Sequence, residues 1–309
     1  MYRIGIDLGG TNIAAGVVDE AQRIVAEVSL PTGAERRPEE VAADICRAAE
    51  LAMAKAHITA AHCASVGIGS PGTCDSRSGT VVRAYNLGWF NVPVCDMVTR
   101  RLGLPCRLSN DANCAALAET VAGTAAGCRN MILVTLGTGV GVGIVSDGKL
   151  LEGVGGTGAE AGHSILVLDG EPCTCGRKGC WEAYASATAL IRQGRRAALA
   201  QPQSQLASYG DALTAKDVFD AADTGDEAAQ AVLSQYYIYV AAGITDLVNI
   251  LGPEMILIGG GLSRQGERLL SPVREYVAAN CFGGHDRLPP VIRCAKLGNE
   301  AGIIGAAAL

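Results

Sequence analysis

The chain has 309 residues, of which 49% are hydrophobic and 18% charged, with a formal net charge of −6. This length suggests one large or two medium domains, each able to bury a core, and the acidic balance argues against a dedicated nucleic-acid binder. No run of eighteen apolar residues occurs, and the opening residues 1–7 lack the layout of a signal peptide, so no membrane span is expected and a cytoplasmic protein is.

Residues 2–8 read as a strand, Gly9-Gly10-Thr11-Asn12 as a tight turn and residues 13–18 as a second strand. After a turn at 19–23, residues 24–30 form a third. Over 38–56 the period changes. Val41, Ile45, Ala48, Ala49, Ala52 and Met53 recur at helical spacing behind Pro38 and the acidic pair Glu39 and Glu40, which predicts a helix. The apolar run 65–69 is the next strand, stopped by Ser70-Pro71-Gly72. A further helix opens at Asn110-Asp111, residue types suited to an N-cap, and runs through 112–121.

Residues 131–136 and 140–145 are strands around the turn Gly137-Thr138-Gly139, repeating the layout of the chain's opening. This weak internal repeat predicts two related α/β domains facing each other. Residues 181–250 are largely helical by composition. Residues 255–258 form a buried strand ending in Gly259-Gly260-Gly261, and 297–309 form a turn and an Ala-rich helix. The expected division is a small domain of 1–119 plus about 297–309 and a large domain of 120–296.

Three glycine turns, at 9–12, 137–139 and 259–261, thus each follow a β-type run. Any one of them is explained as a hairpin or βα turn. Together they suit phosphate, which needs closely spaced backbone N–H donors and no side chain in the way. None of the five lysines is followed by Ser or Thr, so the chain is not a P-loop enzyme. A Gly-x-Gly-x-x-Gly match at Gly153, Gly155 and Gly158 follows a poor strand and precedes no helical pattern; it reads as chance rather than a dinucleotide fingerprint. Asp7, at the end of a strand and just before Gly9, Gly10 and Thr11, suits an acid that holds Mg²⁺ through water. This arrangement resembles the first phosphate motif of the actin-like ATPase superfamily, which includes hexokinases. Residues 137–139 resemble its second phosphate motif and 259–261 its adenosine motif. The resemblance implies two ribonuclease H-like α/β domains with a cleft between them, and ATP as the nucleotide.

By itself Asn110-Asp111 reads as a helix cap. In a kinase the carboxylate gains a task, because a sugar hydroxyl attacks phosphorus only as its proton leaves. A carboxylate in reach accelerates that step ~10²–10⁴-fold. Asp111 is therefore the candidate base.

The twelve cysteines divide unevenly. Nine are scattered singly and read as small buried hydrophobes. Cys173, Cys175 and Cys180 crowd together just after His163, and three thiols with one imidazole are a tetrahedral zinc set with no open position. Such a structural zinc ties the loop carrying Glu160 and His163 to the segment carrying Glu182, so that two carboxylates and an imidazole converge on one polar ligand. His57, His62 and His285 have no partner cysteines and read as surface residues.

With these residues in place, the chain closely resembles the ROK family (repressors, open reading frames, kinases). The motifs that carry the resemblance are Asp7-x-Gly9-Gly10-Thr11, Glu160-x-Gly162-His163 and Cys173-x-Cys175-Gly-x-x-Gly-Cys180. It implies Asp111 as catalytic base and Asn110, Glu160, His163 and Glu182 as hexose-hydroxyl ligands. Loops at Ser70–Gly72 and Asn86–Trp89 are implied to line the sugar pocket. Gly10, Thr11, Asn12, Thr138, Gly139, Gly260 and Gly261 are implied nucleotide contacts, and His163, Cys173, Cys175 and Cys180 zinc ligands. A homodimer is a further implication. One motif departs: bacterial glucokinases of this type often carry Asn-Leu-Pro-Gly-Trp, and here Pro is missing between Leu87 and Gly88.

The resulting expectation is an ATP-dependent hexose kinase with glucose as the leading substrate. Fructose, mannose, N-acetylmannosamine and N-acetylglucosamine are the alternative sugars. A non-catalytic sugar sensor is a competing reading. So is a ROK repressor, but the first strand begins at residue 2 and leaves no room before it for a helix-turn-helix.

Overall fold

A computed structural model describes residues 1–284 and 288–309, so the expectation for His285 lies outside the described residues. The chain forms two compact units. One comprises Met1–Leu133, Gly143–Ala159 and Lys296–Leu309, and the other Val134–Val142 and Glu160–Ala295. Up to residue 121 the elements are β1 (Tyr2–Leu8), β2 (Asn12–Val18), β3 (Ile24–Pro31), α1 (Pro38–Lys55), β4 (Cys63–Ser70), β5 (Thr73–Asp75), β6 (Thr80–Ala84), β7 (Trp89–Val92), α2 (Val94–Leu102), β8 (Cys106–Asn110) and α3 (Asp111–Val121). There follow β9 (Met131–Leu136), β10 (Val140–Ser146), β11 (Lys149–Leu150), α4 (Glu182–Ala185), α5 (Ala187–Ala200), α6 (Gln205–Tyr209), α7 (Ala215–Asp223) and α8 (Glu227–Leu251). The chain closes with β12 (Met255–Gly259), α9 (Glu267–Asn280), β13 (Val291–Cys294) and α10 (Glu300–Ala308).

The first unit is built on a sheet of order β3-β2-β1-β4-β8. β1, β4 and β8 run parallel, so their carboxyl ends lie along one edge of the sheet. Side chains alternate between the two faces. Ile4, Ile6 and Leu8 of β1, Val66 and Ile68 of β4 and Leu108 of β8 join Val41, Ile45 and Ala49 of α1 in one core. The opposite face is stripped to glycine where α10 lies on it. A Cβ at Gly5 would sit 1.9 Å from the Ile303 carbonyl oxygen, and one at Gly67 would sit 1.7 Å from that of Ala306. Gly305 makes the matching allowance on α10, since its Cβ would fall 1.7 Å from the Cys114 carbonyl of α3. α10 is thus seated on β1, β4 and α3 by backbone contact, which no larger residue permits.

A second sheet has the order β11-β10-β9-β12-β13. In the second unit, α8 packs with α5, α7 and α9. Its Gly243 leaves room for Trp181, whose ring would lie 2.2 Å from a Cβ there and whose indole N–H donates to the Tyr239 carbonyl at 2.8 Å. α8 is long and apolar enough to span a bilayer, but half of its most apolar window is buried in the protein, as befits a core helix.

The helices expected at 38–56 and 112–121 and the strands at 2–8, 13–18 and 24–30 are present. The small sheet β5-β6-β7 and the helices α2 and α9 are additions. Their sequences hide them. β5 and β7 span three and four residues, and α9 carries Pro272 inside. His57 and His62 are exposed, as expected.

Candidate active site

Parallel pairing assembles the first group of candidate residues. Asp7 of β1 stands opposite Gly69 of β4, Gly69 opposite Ser109 of β8, and Ser70 opposite Asn110. The three strand ends therefore present Asp7, the Ser70–Gly72 loop and Asn110-Asp111 side by side. Ligands of open α/β sheets gather at this kind of edge. Asn110 is the N-cap of α3, its side-chain oxygen accepting the Ala112 N–H at 2.8 Å, while its amide donates to the Gly72 carbonyl at 3.0 Å. The cap expected of this pair is thus Asn110, which leaves Asp111 in the first turn of the helix. Ser70 is fully buried and donates to the Pro71 carbonyl at 3.2 Å, so it shapes the loop.

Two carboxylates lie near enough here for the charge of one to act on the other. The Asp111 side chain reaches solvent at its surface but is crowded by protein. That crowding disfavours its charged form and raises its pKa, against the opposing effect of hydrogen bonds from Ala112 and Asn110. Burial likewise lifts Asp7 from 3.8 to about 6, and the neighbouring Asp111 charge adds to the effect. Gly302 of α10 gives Asp7 its space, since a Cβ there would lie 2.4 Å from Oδ2.

The first glycine turn is closed by the Gly9 N–H donating to the Asn12 carbonyl at 2.8 Å. Thr32 holds it from behind. This fully buried residue donates its hydroxyl to the Gly9 carbonyl at 2.7 Å and its N–H to the Thr11 carbonyl at 2.8 Å. Sequence reasoning missed Thr32, and only its place between Pro31 and Gly33, at the end of a strand, hinted at a turn-bracing role. Thr11 and Asn12 are exposed. Gly10 sits against Asn86, whose amide nitrogen would be 3.4 Å from a Cβ. Asn86 is exposed on a turn that Gly88 ends in the left-handed region, at φ 63°, before the buried Trp89.

The second unit gathers the rest. In the turn at 137–139 the Gly137 N–H meets the Gly139 carbonyl at 3.0 Å, and Thr138 is exposed. Gly260, at φ 76°, packs on the backbone of Leu136 next to that turn, where a Cβ would lie 2.5 Å from the carbonyl oxygen; Gly261 follows in open space. Glu182 reaches back to the turn. One carboxylate oxygen accepts the Val140 N–H at 3.0 Å, the other accepts the Thr174 hydroxyl at 3.1 Å, and Gly139 has no room for a side chain beside it. The spacing Glu160-x-Gly162-His163 has a physical cause in the same place, for a Cβ on Gly162 would lie 2.1 Å from the Val140 carbonyl.

His163, Cys173, Cys175 and Cys180 converge, with their donor atoms all within 4.8 Å of one another. Cys175 and Cys180 sulfurs are 3.6 Å apart, as are the Cys173 sulfur and His163 Nδ1. Zinc–sulfur bonds of ~2.3 Å at tetrahedral angles span nearly this separation, so the donor set fits the ion. Gly176 and Gly179, at φ 87° and 80°, supply the left-handed backbone that folds the loop.

The profile of the ROK family matches residues 3–309. The chain belongs to the ROK family. This ROK protein is 38% identical to the glucokinase of Halalkalibacterium halodurans over 98% of its own length and 93% of that protein's. It is 39% identical to the glucokinase of Streptomyces coelicolor over 99% and 96% of the two chains. Among solved structures, a ROK family glucokinase from Streptomyces griseus in complex with glucose and AMPPNP aligns with a TM-score of 0.82 at 38% identity, covering 100% of this chain and 98% of that one. The fold of this ROK protein is accordingly the two-domain actin-like ATPase fold expected from its glycine turns.

Proposed function

We propose that the chain is an ATP-dependent hexose kinase that transfers the γ-phosphate of ATP to a sugar hydroxyl, with glucose as the leading substrate. The observation that carries this reading is the edge formed by β1, β4 and β8, whose ends present Asp7, Ser70 and Asn110 side by side, with Asp111 next in the chain and close enough for its charge to act on Asp7. Likeness over nearly the full chain to glucokinases, including one solved with glucose and an ATP analogue, supports it.

In this reading Asp111 accepts the proton of the attacking hydroxyl. Its raised pKa makes it a stronger base than an ordinary carboxylate, matched to a proton that moves late. Asn110, Glu160, His163 and Glu182 orient the sugar ring, and the loops at Ser70–Gly72 and Asn86–Trp89 wall it. Gly9 shapes the first turn, backbone N–H groups and hydroxyls at Gly10, Thr11, Asn12, Thr138 and Gly139 meet the phosphates, and Gly260 and Gly261 the adenosine. Asp7 would hold Mg²⁺ through water, and the bound ion spreads the charge that builds on the transferring phosphate. Because the Asp111 charge adds to the cost of ionising Asp7, a cation held there would relieve the repulsion. His163 Nδ1 and the three thiolates would hold a structural zinc, which leaves Nε2 of the same ring free for a sugar hydroxyl. A cytoplasmic homodimer completes the proposal, and sedimentation of the purified protein checks its size.

The test is ADP release on a panel of hexoses with ATP and Mg²⁺. Glucose should give the highest kcat/KM, and silence on every hexose overturns the reading. Asp111→Asn should lower kcat by ~10²–10⁴-fold with ATP affinity retained. In the wild type, kcat/KM should fall as the pH drops through a limb set above the usual carboxylate range, because the base is lost on protonation.

A further inference from the structure

Glu152, which has no part in the scheme above, ties together three segments of the first unit. It follows β11 and is half-buried. One of its carboxylate oxygens accepts the Ser76 hydroxyl at 2.7 Å, and the other accepts a short hydrogen bond from the Ser109 hydroxyl. Ser109 is fully buried and directly precedes Asn110-Asp111. It stands in register with Gly69 and hence with Asp7, on the sheet face that carries that acid. The segment at 72–76 is fastened twice to the same place, through the Gly72 carbonyl to Asn110 and through Ser76 to Glu152.

The chance dinucleotide match finds its purpose here. The Glu152 carbonyl accepts the Gly158 N–H at 2.8 Å, which closes the loop of Gly153, Gly155 and Gly158. Gly156 in that loop is pressed on β5, with a Cβ position only 1.7 Å from the Cys74 carbonyl. The glycines let the backbone turn and dock so that a single carboxylate lies between two serine hydroxyls. An ionised carboxylate accepts only, so both hydroxyls must donate to it, and each is thereby fixed in one orientation.

We infer that Glu152 is a positioning residue for hexose phosphorylation, holding Ser109 and Ser76 so that Asn110-Asp111 and the Ser70–Gly72 loop keep their relative places. The inference rests on the hexose kinase reading. A misplacement of about 1 Å costs ~10²-fold in a reaction that depends on alignment. Glu152→Gln keeps the size and one acceptor but sets an N–H₂ group against one hydroxyl. Its kcat/KM for glucose should fall roughly 10–100-fold, with the KM for ATP within about twofold and an unchanged melting temperature. Ser109→Ala should produce a similar loss. The double variant should be no worse than the poorer single, because the two side chains act as one unit. Calorimetric glucose binding to each variant reads the same effect without turnover. Glucose kcat/KM retained within about threefold in Glu152→Gln, additive losses in the double variant, or an equal rise in the KM for ATP each overturn the inference. A wild type that neither binds nor phosphorylates any hexose brings down the kinase reading and this one together. An active wild type with an undisturbed Glu152→Gln brings down this one alone.

Discussion

Asp7 carries its proton more tightly in the folded protein than an ordinary carboxyl does, and this has a measurable sign. Its folded value of about 6 exceeds the usual 3.8, so its contribution to stability is full below the lower value and lost as the pH rises through the higher one. At pH 8 without divalent cations, ionised Asp7 lies within reach of the Asp111 charge and is itself poorly solvated. Asp7→Asn should therefore melt higher than the wild type at pH 8 in magnesium-free buffer, by about 2–4 °C per kcal/mol relieved, and the gap should narrow as the pH falls through the folded value and close only below the usual 3.8. A melting curve lowered by the substitution at pH 8 would contradict the assigned environment. At this scale the sequence was readable where chemistry is dense. Asp7 and the cysteine cluster stand out by type and spacing, whereas Asp111 reads as a helix cap until the kinase context gives its carboxylate a task. Thr32 and Glu152 do not stand out, because a serine or threonine hydroxyl on a carbonyl or carboxylate across 23 to 43 residues leaves no local pattern.

Elements decide how those residues meet. The loop carrying Cys173, Cys175 and Cys180 has almost no regular structure of its own, only bridges between Ile165 and Cys180 and between Pro172 and Lys178. Its shape rests on left-handed glycines and, in the proposed zinc site, on the ion. Removing zinc with a chelator, or replacing Cys175 with Ser, should lower the melting temperature and weaken hexose binding at least about tenfold while Asp111 is untouched. Metal analysis should return one zinc per wild-type chain; a chain that folds and binds hexose equally well without metal refutes the site. Amphipathic and alternating segments such as α1, β1 and β2 were legible because burial on one face imposes a period. The β5-β6-β7 sheet was not, since its strands of three to five residues are too short to show one. The departure at Asn86–Trp89 also resolves at this scale. The turn there ends on left-handed Gly88 and needs no proline to do so.

For the molecule as a whole, the first unit is assembled from three separated stretches of chain, and its last helix is not an ornament. Ile303, Ala306 and Ala307 of α10 are buried, and the helix covers the glycine face of β1 and β4. A chain ending before Glu300 should lose cooperative melting and hexose binding together, as judged by calorimetry on the truncated protein; retention of both would show the helix to be dispensable. The paired layout of strand, glycine turn and strand made the two-domain fold legible, and the expected division already gave about 297–309 to the first unit; that 120–133 and 143–159 belong there too has no mark in the sequence. The backbone-on-backbone seat of α10 also sets a timetable for biosynthesis. β1 leaves the ribosome early, but its partner helix emerges only after the entire second unit has been made. At translation rates of about 5–20 residues per second the nascent sheet waits on the order of ten seconds or more with its glycine face bare. During that interval it is a natural client for chaperones that shield exposed strands.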